Sequence, residues 1–429
     1  MDSVVKTPIK VTYKSLALEG GGAKGYVYVG VAQELERLGL LEEIEEIAGS
    51  SVGAITDLYL ASGYTFSQIK EKIFNLDFKK LLLDDHYIMV PLNWMTKFGF
   101  FDADLMHQQF RNIVKEVTGN EHATFEQWHD YKIKHPEKKL KDIIVEACNI
   151  GTGYNETFSY KTEHKDVPIA DAVRASMAFP QVFTPILIKG CLYNDGGMQN
   201  NCPISTLANS SGQVGEEAIG VCLEDLANIH FYMHGEKPMP KRIKNTIDCF
   251  QGQIEAMLNV QSYYLMTGPY KNKIIYCDTL DAGTLDFGLS KEKKEALAAS
   301  GQYGVMRYVS LNHPELAAQH YPKETLAILE LAQHPLSVTE FLDYFRKNIS
   351  EACFMPKATD PIHIHWAAMS TLNKKGGCGN RRQNSVGKLV TPSFDHHKLI
   401  HSTSSRVDLP DDRAQLEKDK KKSGWCTIV

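Results

Sequence analysis

The 429-residue sequence has no run of about 18 apolar residues, so no segment reads as a membrane-spanning helix. It opens polar, with Met1-Asp2-Ser3, and the first apolar stretch comes at Leu16, so no cleavable secretory leader is read there. Nine cysteines (Cys148, Cys191, Cys202, Cys222, Cys249, Cys277, Cys353, Cys378 and Cys426) are scattered without C-x-x-C spacing, which speaks against a zinc site and suits a reducing compartment. The pairs His363-Ile364-His365 and His396-His397 lack a carboxylate or cysteine at matching spacing. No cofactor and no metal are therefore expected. A net charge of -5 gives no case for nucleic acid, and no internal repeat is found.

What the sequence does have is concentrated near its start. Leu16-Ala17-Leu18-Glu19-Gly20-Gly21-Gly22-Ala23-Lys24-Gly25 sets three consecutive glycines after an apolar run. Residues without a Cβ let peptide N–H groups turn together toward a developing negative charge, as an oxyanion hole requires. Gly49-Ser50-Ser51-Val52-Gly53 follows within one short helix and strand, and has the G-x-S-x-G form of a nucleophile elbow. The glycines flank Ser51 symmetrically, which makes it the candidate nucleophile. Ser50 occupies the x position, and its hydroxyl is expected to point away from the cleft. Other readings of the first block are weaker. It matches G-x-G-x-x-G loosely, with Glu42 and Glu43 downstream, but a dinucleotide domain has no reason to carry the elbow. A phosphate-binding P-loop fails because Lys24 precedes the last glycine and no Ser or Thr follows.

The third block lies far downstream, at Tyr193-Asn194-Asp195-Gly196-Gly197-Met198-Gln199-Asn200-Asn201-Cys202-Pro203. An Asp-Gly pair alone is usually a turn, but an aspartate beside two glycines can approach a serine hydroxyl closely and act as its general base. With these three blocks in this order, the sequence resembles the patatin-like phospholipases. Ala175-Ser176-Met177-Ala178-Phe179-Pro180 is similar to the family's Ser-x-Ala-x-Pro segment, and Thr284-Leu285-Asp286-Phe287-Gly288-Leu289-Ser290 to a later signature. The resemblance covers approximately Leu16 to Gly301. It implies an α/β fold, a parallel-sheet sandwich with helices on both faces. It also implies a Ser-Asp dyad, Ser51 and Asp195, in place of a Ser-His-Asp triad. Lys24 is then a solvated or headgroup-facing charge.

The implied chemistry is acyl transfer from a phospholipid or lysophospholipid. Asp195 takes the Ser51 proton, the N–H groups around Gly21 and Gly22 hold the alkoxide, and water releases the acyl group. A carboxylate with a reference pKa of about 3.9 is a weak base, so Asp195 must gain basicity from an apolar surround. Phe179, Val182, Phe183, Ile186 and Leu187 are the candidates for that surround and for an acyl pocket, or else core of the strand that carries Asp195. Three other readings stay open. A Ser-His-Asp triad would draw on His230 or His234. An acyltransferase would use the same Ser51 with an acceptor lipid, and a lipid-anchored scaffold would keep the fold without turnover. The family also includes effectors that a protein partner switches on, so an activator is a further expected partner.

Element patterns point to a parallel sheet: strands at Ser15–Leu18 and Ile44–Ala48, helices at Tyr26–Leu38 and Val52–Ala61, and later strands at Leu140–Asn149 and Glu217–Leu223. Thr65 or Ser67 is placed to cap a helix running to Leu76, and Phe78–Phe101 reads as a lid or a packed insertion. Asn245–Leu265, Lys291–Ser310 and Lys323–Ile349, the last interrupted at Pro335, look helical. These patterns suggest a catalytic domain over 15–210, a continuation of the sheet with a helical subdomain over 211–354, and a disordered basic tail over 355–429. The tail ends in Cys426-Thr427-Ile428-Val429 behind Lys418, Lys420, Lys421 and Lys422, which fits a C-a-a-X lipidation box at Cys426 with a polybasic booster. The expected setting is the cytoplasm with peripheral contact to a membrane surface, in a eukaryote or, for a bacterial effector, inside a host cell.

Overall fold

Short apolar runs, each closed by a glycine-rich or polar turn, build the first half of the chain. In the computed structural model, which describes residues 11–75, 80, 95–225, 227–229, 231, 242–244, 246–280, 282–323 and 325–326, these runs alternate as strand and helix. Strand β1 (Ser15–Leu18) leads through a 3-10 turn (Gly22–Tyr26) into helix α1 (Val27–Arg37), then β2 (Glu46–Ser50) and α2 (Val52–Ala61). The second strand starts two residues later than the sequence pattern suggests. Glu46 is the first residue able to pair with Ser15 on one side and Asp142 on the other. Helix α3 (Phe66–Asn75) is capped by Thr65, which exchanges hydrogen bonds with Gln68 in a capping box.

The chain continues through β3 (Gly99–Phe101), α4 (Asp104–Thr118), α5 (Phe125–Lys134), β4 (Asp142–Asn149), β5 (Tyr154–Phe158) and α6 (Ile169–Ser176). Then come β6 (Gln181–Phe183), β7 (Ile186–Ile188), β8 (Cys191–Asp195), β9 (Ala218–Glu224), α7 (Thr246–Thr267), β10 (Ile274–Asp278), α8 (Lys291–Asn312) and α9 (Pro314–His320). Most of the segment read as a lid, residues 78–79 and 81–94, lies outside the described residues; its end is β3, which pairs in parallel with β6. The helices expected around Pro335, the tail over 355–429 and Cys426 also lie outside them.

The main sheet runs in the order β10-β9-β1-β2-β4-β8-β7, with β5 also paired to β4. Its centre is parallel from β10 to β4, as the alternating pattern requires. Beyond β4 the sheet turns antiparallel, which the pattern did not show. Two tight connections contribute: β4 turns into β5 through residues 150–153, and β7 and β8 form a hairpin whose two turn residues, Lys189 (φ 49°) and Gly190 (φ 83°), are both left-handed, as a tight two-residue loop demands.

Alternation along each strand sorts the core into two layers. Leu16, Leu18, Ile47 and Val145 face the larger cluster, which the helices α1, α2, α6 and α8 cover. Ala17, Ala48, Ile144 and Cys222 face a smaller one, closed by the turn at Pro203–Leu207 and by Leu265 of α7. All eight residues of β4 are buried, as expected of a strand covered on both faces. Burial of nearly all of α2 follows from the same position: its sequence is apolar almost all round.

Candidate active site

Strand register explains how two residues far apart in sequence meet. In the parallel pair, Ser50 of β2 lies opposite Glu146 of β4, so the next position, Ser51, lies level with Ala147. Ala147 in turn pairs with Asp195 of the antiparallel β8. Ser51 and Asp195 therefore flank the same residue of β4 from its two sides. The Ser51 hydroxyl donates to Asp195 Oδ2 at 2.6 Å.

Ser51 sits at the N-terminus of α2 with φ 52° and ψ -122°, a conformation that L residues rarely adopt. The glycines beside it are needed because the turn is tight: a Cβ on Gly49 would lie 2.4 Å from the Gly53 carbonyl carbon, and one on Gly53 would lie 2.1 Å from the Leu18 carbonyl oxygen. Ser176 holds the strained peptide in place, its hydroxyl accepting the Ser51 N–H at 2.9 Å. Ala178, two residues on, accepts the Asp195 N–H at 3.1 Å. The Ser-x-Ala-x-Pro segment thus braces both residues, a task its sequence alone did not show. Ser50 is fully buried with its hydroxyl against Gly196 and does not line the cavity that Ser51 borders.

Asp195 is 4% exposed, and burial pushes its carboxyl up to about 7. Two hydrogen bonds oppose that rise, from the Ser51 hydroxyl and from the Gly197 N–H at 2.8 Å. Among the described residues no histidine bonds to either member of the pair; His230 and His234 lie outside them.

The six-residue glycine block divides by what its N–H groups already do. Gly20 donates to the Asn201 carbonyl at 3.0 Å, Ala23 to the Thr284 carbonyl at 2.9 Å, and Lys24 to the Gly21 carbonyl at 3.2 Å. Gly25 lies inside the 3-10 turn. The N–H groups of Gly21 and Gly22 have no acceptor among the described residues, so the expected set of donors narrows to these two. Gly22 cannot be replaced without strain: its φ is +57°, and a Cβ there would lie 2.1 Å from the Thr284 carbonyl oxygen. The Thr284–Ser290 signature is therefore the support on which the glycine loop rests.

Beneath the loop, Glu19 and Glu224 are both buried, and burial raises both carboxyls. Lys24 is half-buried and its charge opposes that rise at both. It is better described as a countercharge to this pair than as a solvated lysine.

The cavity beside Ser51 has a volume of about 280 Å³. Apolar side chains from distant elements line it, among them Ile55, Phe179, Phe183, Ile254, Leu258 and Phe287. Of the pocket residues expected from sequence, Phe179 and Phe183 border it. Val182 and Ile186 pack against the core instead, and Leu187 is 66% exposed on the β7–β8 hairpin, pointing away from Asp195. The contribution of α7 was not legible: Ile254, Met257 and Leu258 share one face at helical spacing, a pattern as consistent with core as with a pocket wall. No grouping of three or more metal-ligating side chains occurs among the described residues, and none of their helices is long and apolar enough to cross a membrane.

Fold and site together define an α/β protein with a serine, set on a strained strand-to-helix turn, held by a buried carboxyl beneath a glycine loop. Residues 16–208 match the model of the patatin-like phospholipase family. An uncharacterized protein of Acanthamoeba polyphaga mimivirus is 29% identical over 315 residues, 72% of this chain and 99% of the relative. A probable lipid hydrolase of Invertebrate iridescent virus 6 is 29% identical over 200 residues, 45% of this chain and 62% of the relative. Among solved structures, VipD from Legionella pneumophila is 18% identical with a TM-score of 0.46, covering 85% of this chain and 76% of that one.

Proposed function

We propose that this chain is a lipid acyl hydrolase of the phospholipase A or lysophospholipase type, with Ser51 as nucleophile and Asp195 as its general base. The observation that carries this reading is the 2.6 Å hydrogen bond from Ser51 to a carboxyl raised to about 7, at the edge of an apolar cavity. The ionised Asp195 accepts the Ser51 proton as Oγ bonds to the ester carbonyl carbon. The oxygen that becomes negative is stabilised by the Gly21 and Gly22 N–H groups. Collapse expels the lysolipid or glycerol alkoxide, which takes the proton from Asp195 and leaves an acyl-serine. Water then gives a proton to Asp195, attacks the acyl carbon and releases the fatty acid, and the proton returns to Ser51.

The family match and the viral relative described as a probable lipid hydrolase support the substrate class. The cavity accepts an acyl chain, and the headgroup stays at the membrane surface, which the chain meets peripherally. The test is fatty-acid release from mixed phospholipid vesicles by wild type and Ser51→Ala, with and without eukaryotic cytosolic extract. Release by wild type and a loss of at least about 10³-fold in Ser51→Ala is expected. Equal release from both proteins would overturn the nucleophile assignment. Release only with extract would identify a protein-activated enzyme.

A further inference from the structure

Two polar side chains interrupt the inner side of α7: Ser262, which is buried and bonds to Glu224, and Gln261. Ile254, Met257 and Leu258 line the cavity, and Gln261 follows at the next helical step on the same face. Its side chain reaches neither Ser51 nor the cavity. It instead meets the loop that follows Asp195 at three points. Gln261 Oε1 accepts the Asn201 N–H at 2.8 Å, and Nε2 donates to the carbonyls of Gly197 at 3.0 Å and Met198 at 3.2 Å.

One end of that loop touches the base and the other the glycine block. The Gly197 N–H donates to Asp195 Oδ1 at 2.8 Å, which sets the carboxyl plane and leaves Oδ2 for Ser51. The Asn201 carbonyl accepts the Gly20 N–H at 3.0 Å, and its Nδ2 donates to Glu19 Oε1 at 2.9 Å, so the other end anchors the glycine block. All three bonds of Gln261 are with backbone groups, whose partners must otherwise be water or nothing.

We propose that Gln261 is a positioning residue: by clamping residues 197–201 from α7 it fixes the Asp195 carboxyl and, through Gly20, the Gly21 and Gly22 donors in one geometry. The inference rests on the Ser51–Asp195 reading above. Released from the clamp, the loop keeps its place in the fold, but the base and the donors lose their mutual alignment. A displacement near 1 Å at such groups costs about 10²-fold in rate.

The test uses the full chain with Gln261→Met, which keeps length and packing but makes none of the three bonds, and Gln261→Glu, which keeps the acceptor for Asn201 and replaces the donor. Gln253→Ala, an exposed position on the same helix, is the control. A fluorophosphonate that labels the reactive serine counts folded sites, and hydrolysis of a soluble short-chain p-nitrophenyl ester gives kcat per labelled site. Expected for Gln261→Met is full labelling at saturation, a kcat about 10- to 100-fold lower, and a KM within about twofold. In Gln261→Glu the acid limb of the pH profile moves upward as well, because a second carboxylate beside the loop opposes ionisation of Asp195. Gln253→Ala matches wild type. An unchanged kcat per labelled site in Gln261→Met, or a loss equal to the loss of labelled sites, would overturn the proposal, as would an unmoved acid limb in Gln261→Glu. Ester turnover that survives Ser51→Ala would instead overturn the reading beneath it.

Discussion

Asp195 carries a conflict between stability and chemistry. Its folded carboxyl titrates near 7 because burial disfavours the anion, whereas in the unfolded chain it titrates near 3.8. Between these values the folded protein holds a proton that the unfolded chain has released, so folding stability falls as pH rises through that window. The full penalty, on the order of 4 kcal/mol, is present above about pH 7. Asp195→Asn removes the titration. Its stability advantage over wild type is expected to grow by roughly 2–3 kcal/mol between about pH 5 and about pH 8, as denaturant melts at the two pH values would read. Turnover follows the opposite course: kcat/KM of wild type falls about tenfold per pH unit below about 7, as the base is protonated. A flat pH profile there would mean that Asp195 is not the base. Ser176 makes a separate case. Ser176→Ala leaves the Ser51 N–H without its acceptor inside a buried turn, and a loss of about 1–3 kcal/mol in unfolding free energy is expected, with lower turnover. The blocks around these residues were legible because glycine spacing reports backbone conformation directly. Ser176 was visible only as part of a family segment, since nothing local says which N–H a serine hydroxyl will accept.

Among the elements, the site depends on how one hairpin and one helix are placed. The β7–β8 hairpin reverses the strand direction at one edge of the sheet, and that reversal brings Asp195 to the level of Ser51. Helix α7 supplies one wall of the cavity, and its apolar residues set how much acyl chain fits. Ile254→Trp fills part of the 280 Å³ space and is expected to lower the ratio of kcat/KM for long-chain over short-chain esters by about tenfold or more. Assay with a series of p-nitrophenyl esters checks this; an unchanged ratio would show that the acyl chain lies elsewhere. Helix α7 itself was foreseen as Asn245–Leu265 and runs over Thr246–Thr267. Its role was hidden, because an apolar face looks the same whether it packs on core or borders a cavity.

Across the whole molecule, the strand order makes the two halves of the chain interdependent. Strand β9 lies directly beside β1, with Leu18 paired to Val221, and β10 extends the sheet beyond it. The described residues all belong to one compact unit. A fragment ending at Ser210 would strip β1 of one of its two neighbours and expose one edge of the parallel sheet. The division of a catalytic domain at about residue 210 is therefore expected to fail as a folding boundary. Circular dichroism and thermal melts of a 1–210 fragment should show no cooperative transition, whereas a 1–326 fragment should melt cooperatively. A cooperative 1–210 fragment would restore the boundary read from sequence.

The sequence by itself determined the features that depend on neighbouring residues. These are the glycine loop, the strained turn at Ser51, the limits of α2, and the alternation that makes a parallel sheet, because backbone conformation and side-chain period are local properties. Tertiary structure alone decided the register that brings Ser51 to Asp195, 144 residues away, the acceptors that occupy the N–H groups of Gly20 and Ala23, and the reach of Gln261 to residues 197–201. Each of these rests on strand register or on the approach of one element to another. Such contacts form between segments whose own residues carry no mark of their partner.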